Sequence, residues 1–263
     1  MSSIQQQWLI PHWPGLPHTI GVLSTTRRGG VSPAPYDDGM GGGGLNLGTH
    51  VGDQPHNVAH NRAVLTAQLP GEPAWLSQVH GTAVVDLGKV TPQQVPEADA
   101  SMTTIPGKVC TIMTADCLPV LLCDREGKTV AAAHAGWRGL AAGVLENTVE
   151  SMRAAGAGEL MAWMGPAIGA YQFEVGQDVR QAFLGGAADD SGVRHVTAAF
   201  TPIGGKPDKY LCDFYALARY LLHRAGVMEV HGGEFCTVSN SGRFYSFRRD
   251  GVTGRQASLI WIK

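Results

Sequence analysis

Apolar residues along this chain mostly fall in short runs. Residues 109–113, 118–123 and 129–133 are three such runs, close together and β-rich, and they read as neighbouring strands of a buried sheet. Residues 21–26 and 160–164 read as further strands, the second closed by Gly165-Pro166. Residues 75–80 and 83–87 are expected to be strands flanking a His80-Gly81 turn. Residues 244–247 and 257–262 form another expected pair, joined by a turn carrying Arg248, Arg249 and Arg255. Helical spacing predicts a helix over 56–69, where Val58, Arg62 and Leu65 recur before Pro70-Gly71. The clearest helix spans 137–154, with a stripe of Leu140, Val144, Leu145, Val149 and Met152. Residues 176–184 and 212–225 complete the helical set. Strands and helices interleave throughout, so the predicted class is α/β, with α+β as the alternative.

Composition narrows this picture. The chain has 263 residues, within reach of one domain, and residues 1–263 are read as a single unit. Glycine (35) and proline (15) are frequent enough to favour a turn-rich layered fold over a helical bundle. They concentrate between Ser32 and Gly44, so residues 37–44 are expected to form a flexible Gly-rich loop. The net charge of -2 offers no global positive field for nucleic acid. No run of 18 apolar residues predicts a membrane span. Five dispersed cysteines without an export signal predict reduced thiols and a cytoplasmic location.

Three segments put a reactive side chain among small residues at the end of a predicted strand. They are Gln78-Val79-His80-Gly81, Ala115-Asp116-Cys117-Leu118 and His134-Ala135-Gly136-Trp137-Arg138-Gly139. A thiolate with two imidazoles suits Zn²⁺, and three protein ligands leave one coordination position open. The spacings alone match no compact metal motif, and Cys117 reads equally well as a small buried hydrophobe. Arg138, at the start of the predicted helix, and Arg248, Arg249 and Arg255, in the C-terminal turn, are candidate anion contacts. Asp99, Asp116 and Glu174 are the nearest carboxylates, suited to orienting a ligand histidine or moving a proton.

At these residues the sequence resembles the YfiH family of laccase-domain, polyphenol-oxidase-like proteins. The match runs along nearly the whole chain. It includes Thr26-Arg27-Arg28-Gly29-Gly30, Leu45-Asn46-Leu47-Gly48-Thr49-His50, Gln78-Val79-His80-Gly81, Asp116-Cys117-Leu118-Pro119, His134-Ala135-Gly136-Trp137-Arg138-Gly139 and Arg248-Arg249-Asp250-Gly251. The resemblance implies a layered fold with two central mixed sheets flanked by helices. It implies Zn²⁺, with Cu as the alternative, on His80, Cys117 and His134. It further implies phosphorolysis of purine nucleosides (adenosine, inosine, guanosine, methylthioadenosine) and deamination of adenosine. On that reading Cys117, His80, His134 and Asp116 are catalytic, and Arg138, Arg248, Arg249, Asn46 and Arg62 contact substrate or phosphate. The partners are then small molecules, with no nucleic acid and no membrane, and the protein is a monomer or small homo-oligomer. Two alternatives use the same residues: a cysteine hydrolase acting on peptidoglycan precursors, with Cys117 as nucleophile, and a copper polyphenol oxidase. The segment 37–44 is longer than the family's usual linker there.

Overall fold

The computed structural model describes residues 7–91 and 94–263. At its centre lie β7 (Leu118–Asp124) and β8 (Val130–Ala135), antiparallel and buried along their whole length. Their near-continuous apolar sequence is what a strand covered on both faces requires. They belong to a six-stranded mixed sheet that runs from β13 (Glu229–Gly232) and β9 (Leu160–Met164) through β7 and β8 to β5 (Ala100–Thr103) and β4 (Val84–Asp86). A four-stranded sheet is built from β1 (Ile20–Ser24), β14 (Gln256–Ile262), β6 (Val109–Thr114) and β3 (Pro73–Ala74).

The two sheets pack face to face. Ile112, Cys110 and Ile260 from one meet Leu121, Ala132 and Trp163 from the other. Because side chains alternate along a strand, the intervening residues face outward. On the outer face of the four-stranded sheet, Val109, Met113 and Leu259 pack with Leu65 of α1 (Pro55–Thr66) and with Leu45 and Leu47. On the far face of the six-stranded sheet, Val120, Leu122, Ala131 and Ala133 pack beneath α3 (Val144–Ala154) and α6 (Phe214–Arg224). The alanines of β8 let α3 settle close, so Leu145, Val149 and Met152 are almost entirely buried. The result is a four-layer α/β/β/α stack.

The expected class holds, and several details differ. The helix expected over 137–154 is two helices, α2 (Trp137–Ala142) and α3, broken where Gly143 adopts a φ of 100°. A third, small antiparallel sheet joins the expected two, built from β10 (Glu174–Gly176), β12 (Lys209–Cys212) and β11 (Phe200–Pro202). It flanks α4 (Gln177–Gly185) and α5 (Asp190–Ala198), the latter capped by the Asp189 carboxylate.

Residues 75–80 and 83–87 are not a hairpin. β3 ends at Ala74 in one sheet and β4 starts at Val84 in the other, so the chain between them crosses from sheet to sheet. Its backbone N–H groups at 79–81 bond to a buried side chain instead of a strand ladder. Residues 244–247 also fail to form a strand. Ser246 caps a one-turn helix, α7 (Phe247–Asp250), accepting from the Arg249 N–H at 3.2 Å. The Gly-rich segment is tied at its start, where the Arg27 guanidinium donates to the Asp37 carbonyl and carboxylate. At its end the Gly44 carbonyl accepts from Asn61 Nδ2 at 3.1 Å.

Candidate metal centre and its cleft

Three neighbouring chain segments converge at one end of the β7–β8 pair. β7 pairs with β8 so that Pro119 lies opposite His134, which brings Cys117, one residue before the strand, beside the imidazole. His80 arrives on the crossover, in a left-handed conformation with a φ of 62°. That strained backbone is held by Asp99, whose buried carboxylate accepts from the N–H groups of Val79, His80 and Gly81 at 3.2, 2.9 and 2.6 Å. Gly136 makes room for the convergence: a Cβ there would sit 2.5 Å from His80 Cδ2 and 3.3 Å from Cys117 Sγ.

The donor atoms of His80, Cys117 and His134 lie within 4.8 Å of one another. Around a tetrahedral ion with nitrogen and sulfur ligands, neighbouring N and S atoms stand roughly 3.6 Å apart. Cys117 Sγ and His80 Nε2 are 3.7 Å apart, so this pair already has the required separation. His134 Nδ1–H donates to Asp99 Oδ1 at 2.7 Å, which fixes the tautomer and leaves Nε2 as the ligating nitrogen. The donor set therefore fits a thiophilic divalent ion. Burial opposes ionisation of Cys117, but His134 and then His80 outweigh it and bring the thiol down to about 6. For His134, burial opposes protonation, while the Cys117 charge and the Asp99 hydrogen bond raise it to about 9. Both shifts favour the thiolate of Cys117 and the imidazolium of His134.

The centre opens into a cleft of about 660 Å³, lined by His50, Arg62, Met113, Thr114, Phe247 and Arg255 among others. That size is typical of a small-molecule site. A larger cavity of about 930 Å³ lies elsewhere, around Tyr171, Tyr220 and Cys236, and it contains none of the three ligands.

Residues 21–263, which include all three candidate ligands, match the family model described as multi-copper polyphenol oxidoreductase laccase. The chain belongs to this family. Among its relatives, a purine nucleoside phosphorylase of Pseudomonas aeruginosa is 52% identical over 97% of this chain and 98% of its own length. The purine nucleoside phosphorylase YfiH of Escherichia coli is 50% identical over the same shares. A crystal structure of the Neisseria meningitidis protein NMB0706 superposes with a TM-score of 0.86, at 47% identity, covering 98% of this chain and 99% of that one.

In this member of the laccase-like family, the residues singled out from sequence separate into two groups. Arg62 lines the cleft, its guanidinium stacked 3.8 Å from the Trp75 ring. Asn46 is fully buried behind the wall, where its Oδ1 accepts from the Arg255 and Gly48 N–H groups and its Nδ2 donates to Asp53. Asp116 directs its carboxylate away from the thiol, accepting from Thr237 Oγ1 at 2.5 Å and the Arg248 N–H at 2.6 Å. Arg248 donates to the Glu174 carbonyl, and Arg138 is exposed beside Trp137. Arg249 donates to the carbonyls of Thr237, Val238 and Phe244 and to both oxygens of Asp250. All five of its N–H bonds are thereby used, so the structure makes it a staple of the C-terminal turn and not a cleft residue.

Of the cleft residues, His50 escaped the sequence reading of the site: it lay within a segment that carried the family resemblance but has no periodic or motif signal of its own. Arg255, singled out with Arg248 and Arg249 in the C-terminal turn, is the one of those three that lines the cleft.

Proposed function

We propose that the protein cleaves purine nucleosides by phosphorolysis, at the cleft holding His80, Cys117 and His134. The observation that carries this reading is the triad itself, intact and oriented by Asp99, in a chain half identical to enzymes named for that activity. Zn²⁺ is the ion proposed for the three ligands, and when bound it supplies Lewis-acid chemistry. Phosphate forms a bond to the sugar C1′ as the bond from C1′ to the purine nitrogen breaks, giving free base and ribose 1-phosphate, or 5-methylthioribose 1-phosphate from methylthioadenosine. Adenosine, inosine, guanosine and methylthioadenosine are the proposed substrates, and hydrolytic deamination of adenosine to inosine and ammonia is proposed for the same cleft.

The chain's own residues supply orientation and exclusion of water. Leu76, Val95, Met113 and the exposed ring of Phe247 offer an apolar wall suited to a flat base. Gln78 stiffens that wall by pairing both ways with the Met113 backbone, at 2.8 and 2.9 Å. The Asp99–His134 pair holds the imidazole and the 79–81 turn in register with Cys117. Zinc-loaded protein should release hypoxanthine from inosine only when phosphate is present. Absence of hypoxanthine under those conditions overturns the proposal.

A second reading rests on the same hydrogen bond. Cys117, His134 and Asp99 are arranged like the nucleophile, base and orienter of a cysteine hydrolase, including one acting on peptidoglycan precursors. Chelation separates the two, since a metal-free hydrolase keeps its activity and the nucleoside enzyme loses it. Copper-dependent phenol oxidation, which the family description names, is checked by metal analysis of protein prepared without added copper.

A further inference from the structure

The cleft contains a second cluster that the three ligands leave unused. Arg62 and Arg255 lie in its wall with His50, and among the described residues no aspartate or glutamate lines it. The Arg62 Nε donates to the Leu47 carbonyl at 3.0 Å, and its only further polar neighbour among the described residues is the Met113 sulfur at 3.9 Å. Arg255 donates from one terminal nitrogen to two carbonyls of its own turn, Thr253 and Gly254, at 3.1 and 3.0 Å. Neither makes an ion pair among the described residues. By contrast, Arg27, Arg125, Arg224 and Arg249 each face a carboxylate.

Burial holds the Arg62 guanidinium down at about 10, and it also lowers Arg255 against the opposing charges of Cys117 and Asp116. Burial, then the charges of Arg255 and Arg62, lower His50 as well. Three cationic or potentially cationic groups thus crowd one another with no ion-pair partner among the described residues, although the charges of Cys117 and Asp116 reach Arg255, and confining cations in this way is costly. The buried Thr114 hydroxyl, in the same wall, has no hydrogen-bond partner among the described residues. Arg255 is also held in place from behind, because its backbone N–H bonds to the buried Asn46 at 2.9 Å.

We propose that His50, Arg62 and Arg255 form an oxyanion subsite for inorganic phosphate, with the Thr114 hydroxyl as a further donor. Two guanidiniums offer the forked N–H pairs that match phosphate oxygens. The identity of the anion rests on the phosphorolytic reading above, and the subsite replaces Arg138, Arg248 and Arg249 as the anion contact.

Binding of inorganic phosphate to zinc-loaded protein without nucleoside tests the subsite, by calorimetry on wild type, Arg62→Gln and Arg255→Gln. Arg194→Gln, on an exposed helix face, serves as the control. The expected result is saturable binding weakened at least ~10-fold by either cleft substitution and unchanged by the control, with sulfate competing and acetate not competing. Circular dichroism confirms that each variant is folded, and Arg62→Lys, which keeps the charge and loses the fork, covers the case in which Arg62→Gln does not fold. Unchanged phosphate affinity in the folded variants overturns the subsite, as does acetate competing as well as sulfate. If phosphate binds through these arginines while no nucleoside is cleaved, the subsite stands and the proposed function falls. If nucleosides are cleaved with an unaltered KM for phosphate in both variants, the function stands and the subsite falls.

Discussion

The Asp99 carboxylate and the His134 imidazole are joined by a 2.7 Å hydrogen bond, and the same carboxylate caps the three N–H groups of the turn that carries His80. One buried side chain therefore orients two candidate ligands that lie 54 positions apart in the sequence. Asp99→Asn should weaken metal binding about 10- to 100-fold, the usual cost of removing such an outer partner. Asp99→Ala also strands the turn's N–H groups and should lower stability by roughly 2–4 kcal/mol. Metal titration and chemical denaturation of the two variants check this pair. Equal metal affinity in Asp99→Asn and wild type would show that Asp99 serves only the backbone.

Gly136 is a steric test of the same centre. A methyl group there meets the His80 ring at 2.5 Å, and that ring lies at the exposed end of a side chain that can swing outward. Gly136→Ala should therefore change the melting temperature little while moving His80 off the metal. Zinc stoichiometry and activity should both fall. A fully loaded, fully active alanine variant would mean that His80 is not a required ligand.

The centre was more legible in the sequence than its surroundings. His80, Cys117 and His134 each follow or end an apolar run beside small residues, and in a sheet-based fold such positions gather at one edge. Asp99 was identifiable as a candidate orienter, but its partner was not, because the choice among three carboxylates depends on packing. Arg248 and Arg249 are conspicuous as a pair, yet Ser246 starts a helical turn that gives Arg249 five local acceptors. Arg62 was expected near substrate or phosphate only from the family resemblance, since its place on a predicted helix carries no such signal, and α1 packs on the four-stranded sheet so that this residue reaches the cleft. The crossover at 75–83 was misread as a hairpin for a related reason. Its two apolar segments belong to different sheets, and no local pattern records that.

In metal-free protein, the alkylation rate of Cys117 should report its pKa. A thiol reacts as thiolate, so a group at about 6 in place of the ordinary value reacts at nearly its full rate at pH 7 and slows as the pH falls through 6. Cys236 is partly exposed and its thiol is also lowered: burial opposes this, but hydrogen bonds from Ser239 and Gly169 prevail. The experiment is therefore run in Cys236→Ser. Cys110 and Cys123 are buried and pushed up to about 12, and they should stay silent. Added zinc should suppress the reaction. Alkylation that rises only above pH 8, or that zinc leaves untouched, would remove Cys117 from the centre.

Arg249 separates a structural arginine from a ligand-binding one. Three of its five N–H bonds tie α7 to the carbonyls of Thr237, Val238 and Phe244, and Ala at this position leaves those acceptors unmatched. The loss should be roughly 2–3 kcal/mol, since three of the broken bonds are from a charged donor to part-buried carbonyls. Asp116 braces the same helix through the Arg248 N–H, so Asp116→Asn should shift stability in the same direction, by less. The folded fraction of Arg249→Ala should bind phosphate as wild type does, because none of its lost contacts lies in the cleft. Denaturation midpoints and phosphate calorimetry on the same preparation decide the matter. Unchanged stability with weakened phosphate binding would return Arg249 to the anion site.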